Sequence, residues 1–240
     1  MKLDSYLFSH IGGRSENQDA LGRVENDRVG LYAVADGLGG HQDGRLASDQ
    51  VITTLLGGVN NSEHIDQTGL YTLVKQANDS ILKLQQERKC VTKSTVVALA
   101  IQDEKAVWAN TGDSRLYYLH NGSIFPVTAD HSVSYMKYKA GEITKEEIAQ
   151  DEDQSSLLRA LGGATRWEPD TGEIEGMQAG DGFLLCSDGA WEYLTDEEIL
   201  VDYLKSESAK QWACLLLLRI IARVPYDNDN LSLISVLLGK

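Results

Sequence analysis

Asp36 and Asp188 each follow an apolar run and precede a glycine: Leu31-Tyr-Ala-Val-Ala35 leads into Asp36-Gly37, and Phe183-Leu-Leu-Cys-Ser187 leads into Asp188-Gly189. A carboxylate at a strand end is held by the sheet behind it, while the neighbouring glycine lets the backbone turn sharply and leaves its carbonyl free as another oxygen ligand. Asp113 lies in the short link Gly112-Asp-Ser-Arg115, Asp229 precedes the last apolar run in Asp229-Asn-Leu-Ser232, and Asp19 ends Arg14-Ser-Glu-Asn-Gln-Asp19. Taken singly, each is the ordinary aspartate of a turn, bonded to its own backbone. Five such places in one chain, with no His or Cys cluster to suggest zinc, read jointly as an oxygen-only site for Mg²⁺ or Mn²⁺.

The elements that must carry these residues are strands and amphipathic helices. Strand-like runs occur at Tyr6–His10, Gly30–Ala35, Thr95–Ile101, Ala106–Asn110, Leu116–His120, Gly182–Cys186 and Leu231–Leu238, mostly bounded by Gly, Asp or Asn. The short links Gln102–Lys105 and Thr111–Arg115 predict antiparallel hairpins or meanders and disfavour repeated βαβ crossovers. Helices are predicted over Gly44–Leu56, Asp66–Glu87, Asp196–Leu204 and Ser208–Ala222. In the second, Leu70, Leu73, Val74, Ala77, Ile81 and Leu84 share one face, and the third opens with the capping pattern Thr195-x-x-Glu198. The charge-rich stretch 133–157, with a turn at Gly141-Glu142 and a helical start at Thr144-x-x-Glu147, reads as an inserted surface subdomain. No linker or repeat divides the chain, so residues 1–240 are expected to form one domain.

Composition excludes several alternatives. With 36 acidic against 22 basic residues and a net charge of −14, the chain lacks the clustered Lys and Arg that grip a phosphate backbone, which argues against nucleic-acid binding and against a nuclease. Cys90, Cys186 and Cys214 are odd in number and widely spaced, which suggests neither a disulfide framework nor a thiolate zinc site and fits the cytoplasm. The first ten residues do not resemble a secretory signal. The apolar patch Trp212–Val224 is broken by two arginines and falls short of the about 20 residues that span a bilayer.

Seven short motifs, in order, carry a resemblance. Arg14-x-x-Asn-Gln-Asp19, Asp36-Gly-Leu-Gly-Gly-His41, Gly112-Asp-Ser-Arg115, Asp130-His-Ser132, Arg159-Ala-Leu-Gly162, Leu185-Cys-Ser-Asp-Gly189 and Asp229-Asn-Leu-Ser232 together resemble the bacterial type 2C, or PPM, metal-dependent protein serine/threonine phosphatases. The resemblance runs from about Gly12 to Leu238. It implies an α+β fold, a four-layer αββα sandwich of two antiparallel sheets flanked by helices, with residues 133–157 as a flap beside the active site. Carried over by motif, Asp36 would bridge two Mn²⁺ or Mg²⁺ ions, Gly37 would offer its carbonyl to one, Asp188 and Asp229 would hold the other, and Asp19 would act through bound water. Asp113 with Asp188 would hold a third, weaker ion. Two cations sharing a carboxylate bring the pKa of a bridging water toward neutrality and neutralise charge on phosphoryl oxygens. Arg14 would complete the site, because a planar guanidinium grips two phosphate oxygens at once.

Some positions depart from the family pattern. Where several members have a His two residues after the bridging Asp, this chain has Leu38, which leaves the proton donor to a metal-bound water in preference to His41. Lys93-Ser94 replaces the usual small residues, and His131 reads as a structural hydrogen-bonding residue. Asp151-Glu-Asp153 in the flap would favour basic residues near the substrate phosphate. The expected partners are phosphoprotein substrates and a cognate Ser/Thr kinase with its targets, with no nucleic acid, no membrane and no second copy of the chain. Leu185–Glu192 is similar to phosphatases associated with bacterial type VI secretion. The alternative is a catalytically weak regulatory or binding protein on the same fold.

Overall fold

The computed structural model describes residues 2–26, 28–39, 42–60 and 64–239; His41 lies outside them. The seven strand-like runs are all strands: β1 (Leu3–His10), β3 (Gly30–Gly39), β5 (Val96–Gln102), β6 (Lys105–Thr111), β7 (Arg115–His120), β10 (Gly182–Cys186) and β11 (Leu231–Leu238). Four further strands join them, β2 (Asp19–Glu25), β4 (Thr92–Ser94), β8 (Ser123–Pro126) and β9 (Asp170–Glu175). They are short or rich in charge and glycine, so no apolar run announces them. One sheet has the order β1-β11-β10-β7-β8 and the other β2-β3-β5-β6-β9, with β4 added beside β3. The pairings are antiparallel in both.

Helices cover both outer faces. On one side α1 (Gln42–Asn60) and α2 (Gln67–Arg88) pack on β2, β3 and β6. Leu70, Val74, Ala77 and Ile81 are fully buried there, on the face that their spacing predicts. On the other side lie α5 (Asp196–Leu204) and α6 (Ala209–Ile221), with the short α4 (Asp188–Trp191) packed on β11. The capping box at Thr195 and Glu198 is present, and Ser208 and Asp66 cap α6 and α2. Between the sheets, Tyr32, Val34, Leu99, Leu116, Phe183, Leu185 and Ile234 interlock in an apolar cluster. The structure is therefore the expected four-layer α+β sandwich. Among the described residues no helix is long and apolar enough to cross a membrane.

Two local expectations fail for physical reasons. The link after β6 does not close a hairpin. β6 pairs with β5 and β9 in one sheet, while β7 pairs with β10 and β8 in the other, so residues 112–114 step across the edge of the sandwich. Thr144 and Glu147 start no α-helix. Glu147 Oε2 accepts the Thr144 N–H at 2.7 Å, but only the 3₁₀ turn Ile148–Gln150 follows, because the chain must bend back to bury Ile148 among Tyr135, Tyr138 and the α5–α6 cluster.

The segment 133–157 is closed at its base, where Ser132 bridges Leu157 and the Leu158 N–H donates to the His131 carbonyl at 2.7 Å. It contains α3 (Val133–Ala140), ended by Gly141 at φ +77°, where the left-handed backbone favours glycine.

Trp212, fully buried between α6 and the sheet with its Nε1 donating to the Ile199 carbonyl, anchors the layer behind β10 and β11. Trp212→Ala is expected to remove about 3–5 kcal/mol of stability, read as a lowered denaturant midpoint.

Candidate active site

The edge of the sandwich where β3, β10 and β11 present their site residues, and where residues 112–114 cross over, opens into a cleft of about 360 Å³. Arg14, Asp36, Gly37, Asp113, Asp188 and Asp229 all line it, together with Leu38, Asn230 and, from the segment 133–157, Ser155 and Leu157. The separation of these aspartates in sequence is thus removed by strand pairing and one inter-sheet link.

Asp36 is not beyond a strand end. β3 continues to Gly39 because Gly37, Leu38 and Gly39 pair with β4. The Asp36 N–H donates to Thr95 Oγ1 at 3.0 Å and its carbonyl accepts the Thr95 N–H at 2.8 Å. The glycines beside Asp36 and Asp188 also serve differently from the expectation. Neither has a positive φ; instead a Cβ on Gly37 would stand 2.0 Å from the Gly44 carbonyl oxygen, and one on Gly189 2.1 Å from that of Asn230. They are required for close backbone approach.

Asp19 sits behind the cleft, 1% exposed, directly opposite Asp36 in the β2–β3 register. Like charges so opposed repel one another. Asp19 Oδ2 accepts from Ser187 Oγ at 2.8 Å, while its Oδ1 is buried with no hydrogen-bond partner. Burial, opposed by the Ser232 and Ser187 hydroxyls, pushes Asp19 up to about 7. Burial and then the charge of Asp229 push Asp188 up to about 6. Asp36 and Asp113 are raised well above the carboxylate range, by burial first and then by their acidic neighbours.

Such a set fits a hard divalent cation. The donors are oxygens, among the described residues only Asp229 of these aspartates is held by a cationic side chain, and a buried carboxylate oxygen of Asp19 lacks a hydrogen-bond partner. Among the described residues no three His, Cys, Asp or Glu side chains form a ready-made ligand group. Each ion would therefore draw on fewer carboxylates, with the Gly37 carbonyl and water completing its shell, as suits Mg²⁺ or Mn²⁺.

Arg14 grips Asp229 in a two-pronged pair, Nε to Oδ1 at 3.0 Å and Nη2 to Oδ2 at 2.8 Å. Other residues brace the site, and several of them, Asn230, Arg115 and Asp130 among them, stand in the motifs without having been assigned a role there. Asn230 ties the Arg14 loop to β11: its Nδ2 donates to the Ile11 and Glu16 carbonyls, and its Oδ1 accepts the Gln18 N–H at 2.7 Å. Arg115 clamps Asp130 through Nε at 2.9 Å and Nη2 at 2.6 Å and lies 3.4 Å over the Trp191 ring, and Trp191 Nε1 holds the Asp113 carbonyl at 2.9 Å. From the segment 133–157, Gln154 Nε2 reaches Asp188 Oδ2 at 3.4 Å. His131 is structural, as expected: its Nδ1 accepts the Gly112 N–H at 3.1 Å, and its Nε2 lies 3.2 Å from Asp170. Glu192 is pushed up to about 8 by burial and by the charges of Asp188 and Asp229.

The profile of the protein phosphatase 2C family matches residues 8–217 of this sequence. The chain belongs to that family. It is a protein serine/threonine phosphatase of bacterial PPM type. It is 34% identical to the serine/threonine phosphatase stp of Listeria welshimeri, over 81% of this chain and 79% of that one. Its fold matches the catalytic domain of the phosphatase PstP in complex with two manganese ions, with a TM-score of 0.85, 28% identity and 99% of both chains covered. It also matches PppA, a key regulatory component of the type VI secretion system in Pseudomonas aeruginosa, with a TM-score of 0.82, 26% identity, and 98% and 97% of the two chains covered. These likenesses support metal dependence of the phosphatase.

The raised carboxylates set a pH dependence for the chelated protein. Their protons stabilise the folded chain fully below the unfolded pKa of about 4, and that contribution is lost as pH rises through about 6 at Asp188 and about 7 at Asp19. Thermal melts with chelator should thus fall between pH 5 and pH 8 by several degrees, at ~2–4 °C per kcal/mol for a chain of this size. Added Mn²⁺ or Mg²⁺ should raise the midpoint more at pH 8 than at pH 5.

Proposed function

We propose that the chain hydrolyses phosphoserine and phosphothreonine in proteins at a two-metal centre in this cleft, opposing a Ser/Thr kinase. The observation that carries the reading is the convergence of Arg14, Asp36, Gly37, Asp113, Asp188 and Asp229 on one cleft, with Asp19 behind them. In this proposal Asp36 would be shared by two Mn²⁺ or Mg²⁺ ions, Gly37 would help to hold one, Asp188 and Asp229 would hold the other, Asp19 would act through water, and Asp113 with Asp188 would hold a third ion. The ions, when bound, supply an activated water as nucleophile and neutralise charge on the phosphoryl oxygens. Arg14 exchanges Asp229 for the substrate phosphate, offering the same two parallel N–H groups to two phosphate oxygens. Leu38 has no acidic proton to give, so the leaving seryl or threonyl oxygen would take its proton from water held at the metal site. The whole chain acts as one catalytic domain with 133–157 as its flap, as a monomer in the cytoplasm.

A catalytically weak binding protein on the same fold is the competing reading, favoured by Leu38 and by the Arg14–Asp229 pair. Turnover separates the two. With Mn²⁺ or Mg²⁺ the native chain should hydrolyse p-nitrophenyl phosphate and a phosphothreonine peptide. Chelator or Asp36→Asn should each abolish this, the substitution by more than the ~10–100-fold that is lost with a group that only orients a metal ligand. Activity that survives both would refute the two-metal reading. Arg14→Lys should lower kcat/KM for the peptide about tenfold, because a lysine replaces the two-pronged grip with a single point charge.

A further inference from the structure

A second pocket, of about 680 Å³, adjoins the catalytic cleft and shares Leu38, Ser155 and Leu157 with it. Its remaining lining includes Lys93 and Arg166 and, among the described residues, no carboxylate. That is unusual in a chain with 36 acidic residues and a net charge of −14. Lys93 owes its place to strand register. It stands directly opposite Leu38 in the β3–β4 pair, and directly opposed residues of an antiparallel pair project on the same face. The flanking Thr92 and Ser94 are buried on the other face, so Lys93, exposed, lies on the side of Leu38 and Asp36. Arg166 is held at φ +60° in the loop that returns from the flap base, and it too is exposed. Neither cation enters an ion pair among the described residues. By contrast, two of the acidic residues of 133–157 are partly neutralised, since one lysine, Lys137, holds Asp151 at 2.9 Å and Asp153 at 2.8 Å through its Nζ.

We propose that this pocket is a substrate subsite for an anionic group, a carboxylate or a second phosphate, carried a few residues from the scissile phosphoserine or phosphothreonine. The proposal rests on the active-site reading above. An extended peptide advances about 3.3 Å per residue, so a segment whose phosphate lies in the cleft lays its neighbouring side chains into the adjoining pocket. Two unpaired cations beside a cleft of carboxylates select for charge at that position, and salt weakens the selection because both are exposed. This reverses the preference that the sequence of the flap alone suggests.

The test is the ratio of kcat/KM among four phosphothreonine peptides, flanked by Asp, by phosphoserine, by Ala or by Lys. That ratio is internal to each variant and independent of how much of it is folded. Native protein should favour the two anionic peptides over the Lys-flanked one by about three- to tenfold at low salt, the range expected of exposed charge pairs, and less at high salt. The faster of the two anionic peptides identifies the source of the charge. Lys93→Ala with Arg166→Ala should level the series, and Lys93→Arg should preserve it. Equal turnover of all four by native protein, or a preference that survives the double substitution, would overturn the subsite. Failure of native protein to hydrolyse even p-nitrophenyl phosphate would instead refute the active-site reading. Fluorescence anisotropy of the same peptides on the Asp36→Asn chain would then decide the subsite by itself, with binding that ignores flanking charge counting against it.

Discussion

Asp19 and Asp36 face each other across two paired strands, and Asp113, Asp188 and Asp229 close on the same edge of the sandwich. In water alone this gathering would repel itself, and burial sharpens the repulsion by removing the solvent that would screen it. Two features offset this repulsion. Several carboxylates hold their protons to higher pH, and Arg14 sits on the most exposed of the five. Both are substitutes for a cation, and both would be displaced by one. On the proposed two-metal reading, folding and metal binding would therefore be linked through the same carboxylates.

The repulsion is sustained because what surrounds the cluster is rigid. Ser187 and Thr95 hold Asp19 and Asp36 by hydrogen bonds, and the Gly189 N–H donates to Asp188 Oδ1 at 2.7 Å. Arg115, fixed by Asp130 and stacked on Trp191, fastens the loop that carries Asp113. Behind these lie fully buried side chains such as Phe183, Leu185 and Ile234 between the sheets. A site built on strand ends and sheet edges cannot relax by moving its ligands apart, and that is the form of preorganisation a phosphoryl-transfer site requires.

Charge is distributed unevenly around the cleft. The acidic flap run is partly neutralised by Lys137, and Lys145 ties the flap to α5 through Asp196. On the side of β4, Lys93 and Arg166 face open space. The flap is consequently more a packed wall, with Ile148 buried beneath it, than a free acidic arm. Gln154, Ser155 and Leu157 are the points at which it meets the site.

Much of this was legible from residue types and order. The apolar runs identified seven strands, the helical spacing and capping residues identified the four longer helices, and the seven motifs identified the family and the aspartates that meet in the cleft. Those features are local: a period of two or 3.6 residues, a cap three residues from its partner, or a short motif survives as a pattern in one dimension. What depended on partners far away in sequence was decided only in three dimensions. The strand through Asp36 runs on because β4 is there to pair with it, and the Gly112–Ser114 link changes sheets because β7 finds β10 in place of β6. Gly37 and Gly189 are needed for backbone that approaches from residues 44 and 230, and Lys93 faces the site because its register places it opposite Leu38. The sequence alone could name which aspartates would hold charge together; the pairing of distant strands determined which neighbours they would have, since contact between such strands is a property of packing and leaves no local trace.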